Sequence, residues 1–309
     1  AAAGKFLEER LTVYPAYAID LPTWTHADLH ERMLEMIDSE GFPRTDEWCP
    51  GDPDTLPPNA VMNAIINPPQ HVSADVSDIL DLATSGTALS EQQIVRLFSA
   101  RGDDFSAVVQ QADHLRRKTS GDSVSFVVNR NINYTNICYF KCQFCAFSKG
   151  KLSENLRGRP YDLSDEEIQR RTVEAWQRGA TEVCMQGGIH PEYTGDTYMH
   201  IVEVVKQAVP KMHVHAFSPL EVWQGAATLD LSLGEYLQKL KDAGLNTLPG
   251  TAAEILDDEV RAIICADKIN TQQWFDVMQA AHEVGFKTTA TIMYGHVEKS
   301  VHWARHLID

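Results

Sequence analysis

The chain is short of positive charge. Its 309 residues carry 27 Lys and Arg against 43 Asp and Glu, a net of −16 with a pI near 5.1. Such a surface repels a phosphate backbone, which excludes nucleic-acid binding as a main task. Long apolar runs are missing too. None approaches the roughly 18 residues that a membrane-crossing helix needs, and no secretory leader is expected. Cysteine is sparse, six residues in all, and three of them lie together. That distribution excludes a disulfide-stapled scaffold and suits a reducing cytoplasm. With 43% hydrophobic and 23% charged residues, what remains is a globular chain with room for one large domain or two small ones.

The three clustered cysteines form the run Cys138-Tyr-Phe-Lys-Cys142-Gln-Phe-Cys145. Three thiolates in a CxxxCxxC spacing can hold three irons of a cubane [4Fe-4S] cluster and leave the fourth without a protein ligand. An iron in that state can bind a small molecule, which a four-cysteine electron-transfer site cannot do. Tyr139, Phe140, Phe144 and Phe147 can wall such a cluster from water. Lys141, Lys149, Lys151, Arg157 and Arg159 face only Glu154 in the same stretch. Two plainer readings stay open. A structural zinc ion would need a fourth ligand and more often uses paired CxxC knuckles, and three inert buried thiols need no metal at all.

The chain opens Ala1-Ala2-Ala3-Gly4-Lys5 without methionine, which is expected of a piece of a longer polypeptide. Residues 1–60 hold 12 Asp and Glu against four Lys and Arg, half of the net charge. A helix is expected over 24–40 on the stripe Leu29, Met33, Met36 and Ile37. Six prolines between Cys49 and Gln70 then read as a linker, assigned to 51–72. Residues 73–120 are expected to be a helical extension. Ser90 with Gln93 makes a capping box there, Gly102 is expected to stop that helix, and another follows over 103–118.

Beyond Gly121 the pattern changes to alternating strand and helix. Strands are expected at Val124–Val128, Glu182–Gln186, 212–217, 246–249 and Thr288–Met293, with helices from Ser164 to Gly179 and over 196–208, 232–243 and 271–284. This alternation marks βα units on a parallel sheet, an α/β barrel over 121–309 that is expected to be truncated after about five strands. In such a fold the active site forms at the carboxyl ends of the strands. The unusual residues fall there: the cysteine loop, Gly187-Gly188, Phe217-Ser-Pro219, Leu248-Pro-Gly-Thr-Ala-Ala-Glu254, and Tyr294-Gly-His296.

CxxxCxxC after the first strand, with an aromatic before its last cysteine and Gly187-Gly188 after the second strand, resembles the radical S-adenosylmethionine (SAM) enzymes. The resemblance implies a (β/α) TIM-type barrel with a [4Fe-4S] cluster on Cys138, Cys142 and Cys145. It implies SAM on the open iron, with Phe144, Gly187, Gly188, Ser218 and Glu221 toward that cofactor. Gly187 and Gly188 would let the cofactor's amino group approach bare backbone. Further runs, Asn133-Tyr-Thr-Asn-Ile-Cys138 and Met185-Gln-Gly-Gly-Ile-His-Pro191 among them, are similar to the family's deazaflavin-forming (FO) branch. That branch moves a 4-hydroxybenzyl group from tyrosine to 5-amino-6-(D-ribitylamino)uracil, and Thr251 and Glu254 would face those substrates.

Leu11-Thr-Val-Tyr-Pro15 and Asp46-Glu-Trp-Cys-Pro-Gly51 resemble the tail of the partner half that closes the deazaflavin ring, so residues 1–50 are assigned to the tail of a preceding radical SAM unit, with a cluster loop of its own, in a fused two-barrel enzyme. The implied chemistry is reductive cleavage of SAM to a carbon radical that abstracts hydrogen from tyrosine, fed by a low-potential electron donor. A barrel open after five strands is expected to be inactive alone. Aminofutalosine synthase and dehypoxanthine futalosine cyclase share this grammar and remain alternatives, as does a non-catalytic iron-sulfur or zinc sensor. His190 and His296 are read as structural, and His213 and His215, which share a strand face, receive no role.

Overall fold

The computed structural model describes residues 66–142, 144–145 and 160–309, together with Pro22, Ala27 and His30. The chain divides into two compact units, Ala1–Asn63 with Lys151–Pro160, and Ala64–Gly150 with Tyr161–Asp309. The first lies almost wholly outside the described residues. With it go the expected helix over 24–40, Cys49, the tail assigned to 1–50 and most of the proline-rich connector. Phe147, Lys149, Lys151, Arg157 and Arg159 lie outside them as well.

The second unit opens with α1 (Ala74–Thr84), α2 (Glu91–Phe98) and α3 (Asp103–Ser120). Ser90 and Gln93 form the expected capping box on α2. Gly102 does not stop α2, which ends at Phe98; at φ 57 it is instead the N-cap of α3. Arg96 on α2 joins the three helices through ion pairs to Asp75 at 2.6 Å and Asp104 at 2.9 Å.

Five strands follow: β1 (Asn129–Asn133), β2 (Glu182–Gln186), β3 (His213–Ala216), β4 (Thr247–Leu248) and β5 (Lys287–Thr288). They form one parallel sheet in chain order, β1-β2-β3-β4-β5. Helix α4 (Asp165–Gln177) joins β1 to β2, and α5 (Gly195–Ala208) joins β2 to β3. Two helices fill each later crossover: α6 (Pro219–Thr228) and α7 (Leu233–Ala243), then α8 (Asp258–Ile264) and α9 (Thr271–Val284). Helix α10 (Ser300–Ile308) follows β5. Among the described residues no helix is long and apolar enough to cross a membrane.

The pleat sorts the strand residues into two faces. Ile132, Val183, Met185, Val214, Ala216 and Leu248 are fully buried against helical residues such as Val202, Val205, Leu237, Leu240 and Val277. Each aliphatic side chain so buried contributes roughly 1.5–3 kcal/mol, which holds the helix layer on the sheet. The other face is polar. Asn131, Cys184, His215 and Thr247 stand in register across four strands. His213 Nε2 and His215 Nδ1 both meet the Thr247 hydroxyl, at 2.8 and 2.7 Å.

Two expected strands are corrected. β1 begins at Asn129, and Val124–Val128 is not a strand; Val124 is 91% exposed. Its apolar, β-branched run has no edge to pair with. β2 starts only after α4 has turned away at Gly179 (φ 90), and the last ladder contact is Thr181 N–H to the Val128 carbonyl at 2.9 Å. The fifth strand is Lys287–Thr288 rather than Thr288–Met293. Its partner β4 ends at Leu248, and the next residue, Pro249, has no N–H to donate, so residues 289–293 are held by loop contacts instead. The helices α6 and α8 were not expected. Ser218-Pro219-Leu220-Glu221 carries the signal for α6, a capping box with proline at the first helical position.

Candidate active site at the carboxyl ends of the strands

From the end of β1 the chain turns through Tyr134 and Thr135 into the cysteine loop, and backbone hydrogen bonds fix its course. Gly188 N–H donates to the Thr135 carbonyl at 2.9 Å, and Tyr139 N–H donates to the Ile189 carbonyl at 3.2 Å. Thr135 Oγ1 donates to the Tyr161 carbonyl at 2.8 Å and accepts from Ile137 N–H at 3.1 Å. On the far side, Lys141 N–H donates to Asp267 at 2.9 Å. The loop is thus seated between the glycine turn after β2 and the segment that precedes α9.

Cys142 is buried, and Cys138 and Cys145 are half-buried. All three line one cavity of about 290 Å³ together with Phe144. Gly187 and Gly188 from the end of β2 line it as well, as do Ser218 and Glu221 after β3, and Thr251 and Glu254 after β4. Every residue singled out from the sequence for cluster, cofactor or substrate therefore meets in one place. Met293 packs against the apolar cluster to which Phe140 and Cys142 belong. His190 and His296 do not line the cavity: His190 stacks on Tyr193 at 4.9 Å, and His296 pairs with Glu298 at 3.0 Å. Cys184 sits on the polar sheet face, and Cys265 is buried outside the cavity lining.

The two glycines are required by packing. A Cβ on Gly187 would stand 2.3 Å from the ring of Tyr134, and one on Gly188 would stand 2.2 Å from the Ile137 carbonyl oxygen. The side that bare backbone leaves open is filled by the cysteine loop itself. Both glycines still line the cavity with their backbone.

Glu221 is 1% exposed and accepts four hydrogen bonds. One oxygen takes the Tyr134 hydroxyl and Gly187 N–H, the latter at 3.2 Å. The other takes Ser218 N–H and Oγ, both at 2.6 Å. Burial pushes its carboxyl upward against these donors. Ser218 and Glu221 together cap α6, with Phe217 before them at φ 56, so both are tied into the turn that shapes the cavity wall.

Thr251 differs: its hydroxyl is buried without a hydrogen-bond partner. An orphaned buried hydroxyl on a cavity wall is what a bound polar ligand would satisfy. Glu254 is paired with Lys268 Nζ at 2.8 Å, and that ammonium lies 5.6 Å from the centre of the Phe144 ring. Ala252 and Glu254 hold positive φ, 60 and 50, in a turn that Arg261 secures. The guanidinium, 3% exposed, donates to the carbonyls of Ala252, Ala253, Ile255 and Ile269. Lys268, Arg261, Tyr134 and Asp267 escaped the sequence reading, since each is a single ordinary residue whose role comes from a distant partner.

Burial pushes the Cys142 thiol up to about 12, with Lys268 pulling the other way, and it raises Cys138 too. Both protons must leave when a metal binds. Among the described residues only Asp257, Glu259 and His302 bring three ligand atoms within 4.8 Å of one another. At least one pair of the three sulfurs is therefore farther apart than 4.8 Å, wider than the roughly 3.8 Å that tetrahedral zinc with Zn–S bonds near 2.3 Å imposes. A cubane, in which each thiolate takes a different iron, does not require that convergence. The donor set, its spacing and the apolar wall fit the cluster better than zinc.

The chain belongs to the radical SAM superfamily, whose family model matches residues 132–307. Membership implies a [4Fe-4S] cluster and SAM. A solved structure shares the fold: the FeFe-hydrogenase maturase HydG from Carboxydothermus hydrogenoformans is 17% identical over 76% of this chain and 51% of its own, with a TM-score of 0.56. More particular likenesses lie among curated sequences. An FO synthase of Streptomyces coelicolor is 38% identical across 99% of this chain and 39% of its own length. An FO synthase of Nocardia farcinica is 47% identical across 83% of the chain and 29% of its own. The 5-amino-6-(D-ribitylamino)uracil–L-tyrosine 4-hydroxyphenyl transferase of Methanocaldococcus jannaschii is 47% identical over 71% of this chain and 60% of its own. The chain spans less than two-fifths of these FO synthases.

Proposed function

We propose that this chain carries the radical SAM unit that joins the 4-hydroxybenzyl group of tyrosine to 5-amino-6-(D-ribitylamino)uracil in deazaflavin (FO) biosynthesis. The observation that carries the reading is the convergence of the three cysteines, the glycine turn and the β3 and β4 strand ends on one cavity. The 47% identity to the M. jannaschii transferase supports the substrate class.

Cys138, Cys142 and Cys145 would hold the cluster and leave SAM to complete it. When bound, cluster and SAM supply one-electron reductive chemistry that starts from a cleaved sulfonium. The remaining work falls to the chain. Phe140, Ile189, Leu220 and Ala252 make the cavity wall apolar and exclude water from it. Glu221 fixes Gly187 and Ser218 at their strand ends, and with Phe144 and Gly188 these shape the SAM side. Thr251, with its unpaired hydroxyl, and Glu254 shape the substrate side.

The polypeptide is proposed to be the fused form, working in a reducing cytoplasm with a low-potential electron donor. Residues 1–50 would be the tail of the ring-closing half, residues 51–72 the connector, and 73–120 a helical extension of the barrel at 121–309. Similarity to one FO synthase across 99% of the chain supports this, since one polypeptide there matches both ends. The test uses a polypeptide spanning the full length of these relatives, reconstituted anaerobically with iron and sulfide. Supplied with reductant, SAM, tyrosine and the diaminouracil, it is expected to yield the hydroxybenzyl adduct, and its Cys142→Ala variant none. Stoichiometric zinc with no cluster, or SAM cleavage with no adduct, overturns the assignment.

A further inference from the structure

One charged pair on the cavity wall has a member, Lys268, that the proposed chemistry does not use. Lys268 and Glu254 are 2.8 Å apart with side chains only 8% and 16% exposed. A buried ion pair is a poor stabilising device, because desolvation consumes most of its attraction and apolar residues of the same shape commonly serve as well. Its position suggests another use. Lys268 lines the same cavity as Cys138, Cys142 and Cys145, and its ammonium lies over Phe144, the residue before Cys145. Its chain neighbour Asp267 holds the backbone N–H of Lys141, the residue before Cys142. The dipeptide Asp267-Lys268 thus grips the cysteine loop just ahead of two of the three thiols, one residue through the backbone and the other by bringing a positive charge.

We propose that Lys268 is a positioning residue that raises the reduction potential of the cluster held by Cys138, Cys142 and Cys145, with Glu254 opposing it. The inference rests on the cluster assignment above. A [4Fe-4S]²⁺ core with three thiolates carries one net negative charge, and its one-electron reduction adds another. A fixed cation in a low-dielectric wall favours the more negative state, and a fixed anion disfavours it. The pair is nearly neutral from a distance. Near the thiolates its closer member governs, and Lys268 is the member laid against the cysteine loop.

The measurement is a redox titration of the reconstituted full-length polypeptide, followed by the part of the electron paramagnetic resonance signal that Cys142→Ala removes, with iron and sulfide counted first. Lys268→Met should shift the midpoint negative, Glu254→Gln should shift it positive, and Lys268→Arg should leave it near the parent value. Opposite signs from the two halves of one ion pair are the electrostatic signature, because simple loosening of the loop would move both variants the same way or change only the iron content. Should Lys268→Met fail to take up iron, Glu254→Gln and Lys268→Arg still decide the question. Same-sign shifts, or no shift in loaded Glu254→Gln protein, overturn the tuning role and leave the cluster assignment standing. A parent protein whose iron content is the same with and without Cys142→Ala overturns both.

Discussion

Gly187 lies with its α-carbon pressed against the ring of Tyr134: a Cβ there would stand 2.3 Å from that ring. The contact locks the turn after β2 to the start of the cysteine loop. Gly187→Ala should therefore force the ring or the turn to move, at about 1–3 kcal/mol for overpacking a filled site. Thermal melting should show the loss, and iron content after reconstitution should fall with it. An alanine variant that melts and loads like the parent would mean that the turn yields freely.

The carboxylate behind that contact can be tested separately. Glu221 accepts from Tyr134, Gly187 and Ser218 in a site 1% exposed. Glu221→Gln replaces one acceptor oxygen by a donor and turns it on donors already present. A loss of about 1–3 kcal/mol is expected, together with weaker SAM binding measured by equilibrium titration. Unchanged SAM affinity in a folded variant would confine Glu221 to the α6 cap.

Cysteine replacements should divide into two groups. In the full-length polypeptide, alanine at Cys138, Cys142 or Cys145 should remove this unit's share of the thiolate-to-iron absorbance and of the iron count. Cys184→Ser and Cys265→Ala should keep both, although Cys265, 2% exposed, leaves a small void and lowers Tm. Loss of cluster from the second group, or its retention in all of the first, contradicts the ligand assignment.

Thr251→Val should act in two directions. The hydroxyl is buried without a partner, so removing it should stabilise the ligand-free protein by about 1 kcal/mol. If a ligand satisfies that hydroxyl, the same change should weaken SAM or substrate binding several-fold. Higher Tm with weaker binding is the expected pair, read by melting and by titration of each ligand.

Acid stability should depend on α4. Hydrogen bonds from Arg170 and Arg171 hold the Glu167 carboxyl at about 2. A carboxyl depressed in the folded state stabilises above its ordinary range, and the contribution disappears as pH falls through that range toward 2. The side chain is 30% exposed, so solvent screening keeps the effect to about 1 kcal/mol or less. The difference in Tm between the parent and Glu167→Gln should shrink from pH 6 to pH 3; a constant difference would show that the ion pairs contribute nothing.

Much of this was legible in the sequence wherever the signal was local. The sequence marks Glu182–Gln186 as a strand and 271–284 as the helix α9, because period, caps and flanking glycine sit within a few residues of each element. The spacing of Cys138, Cys142 and Cys145, and the strand-end positions of Gly187, Ser218, Thr251 and Glu254, were legible for the same reason. Tertiary structure decided what depends on a distant partner. Val124–Val128 has the composition of a strand but lies outside the sheet, since β2 offers nothing to pair with before Thr181. Tyr134 and Glu221 are 87 positions apart, and Lys141 and Asp267 are 126 apart. No local pattern announces such contacts, because a buried hydrogen bond or ion pair is set by which strand ends the sheet brings side by side.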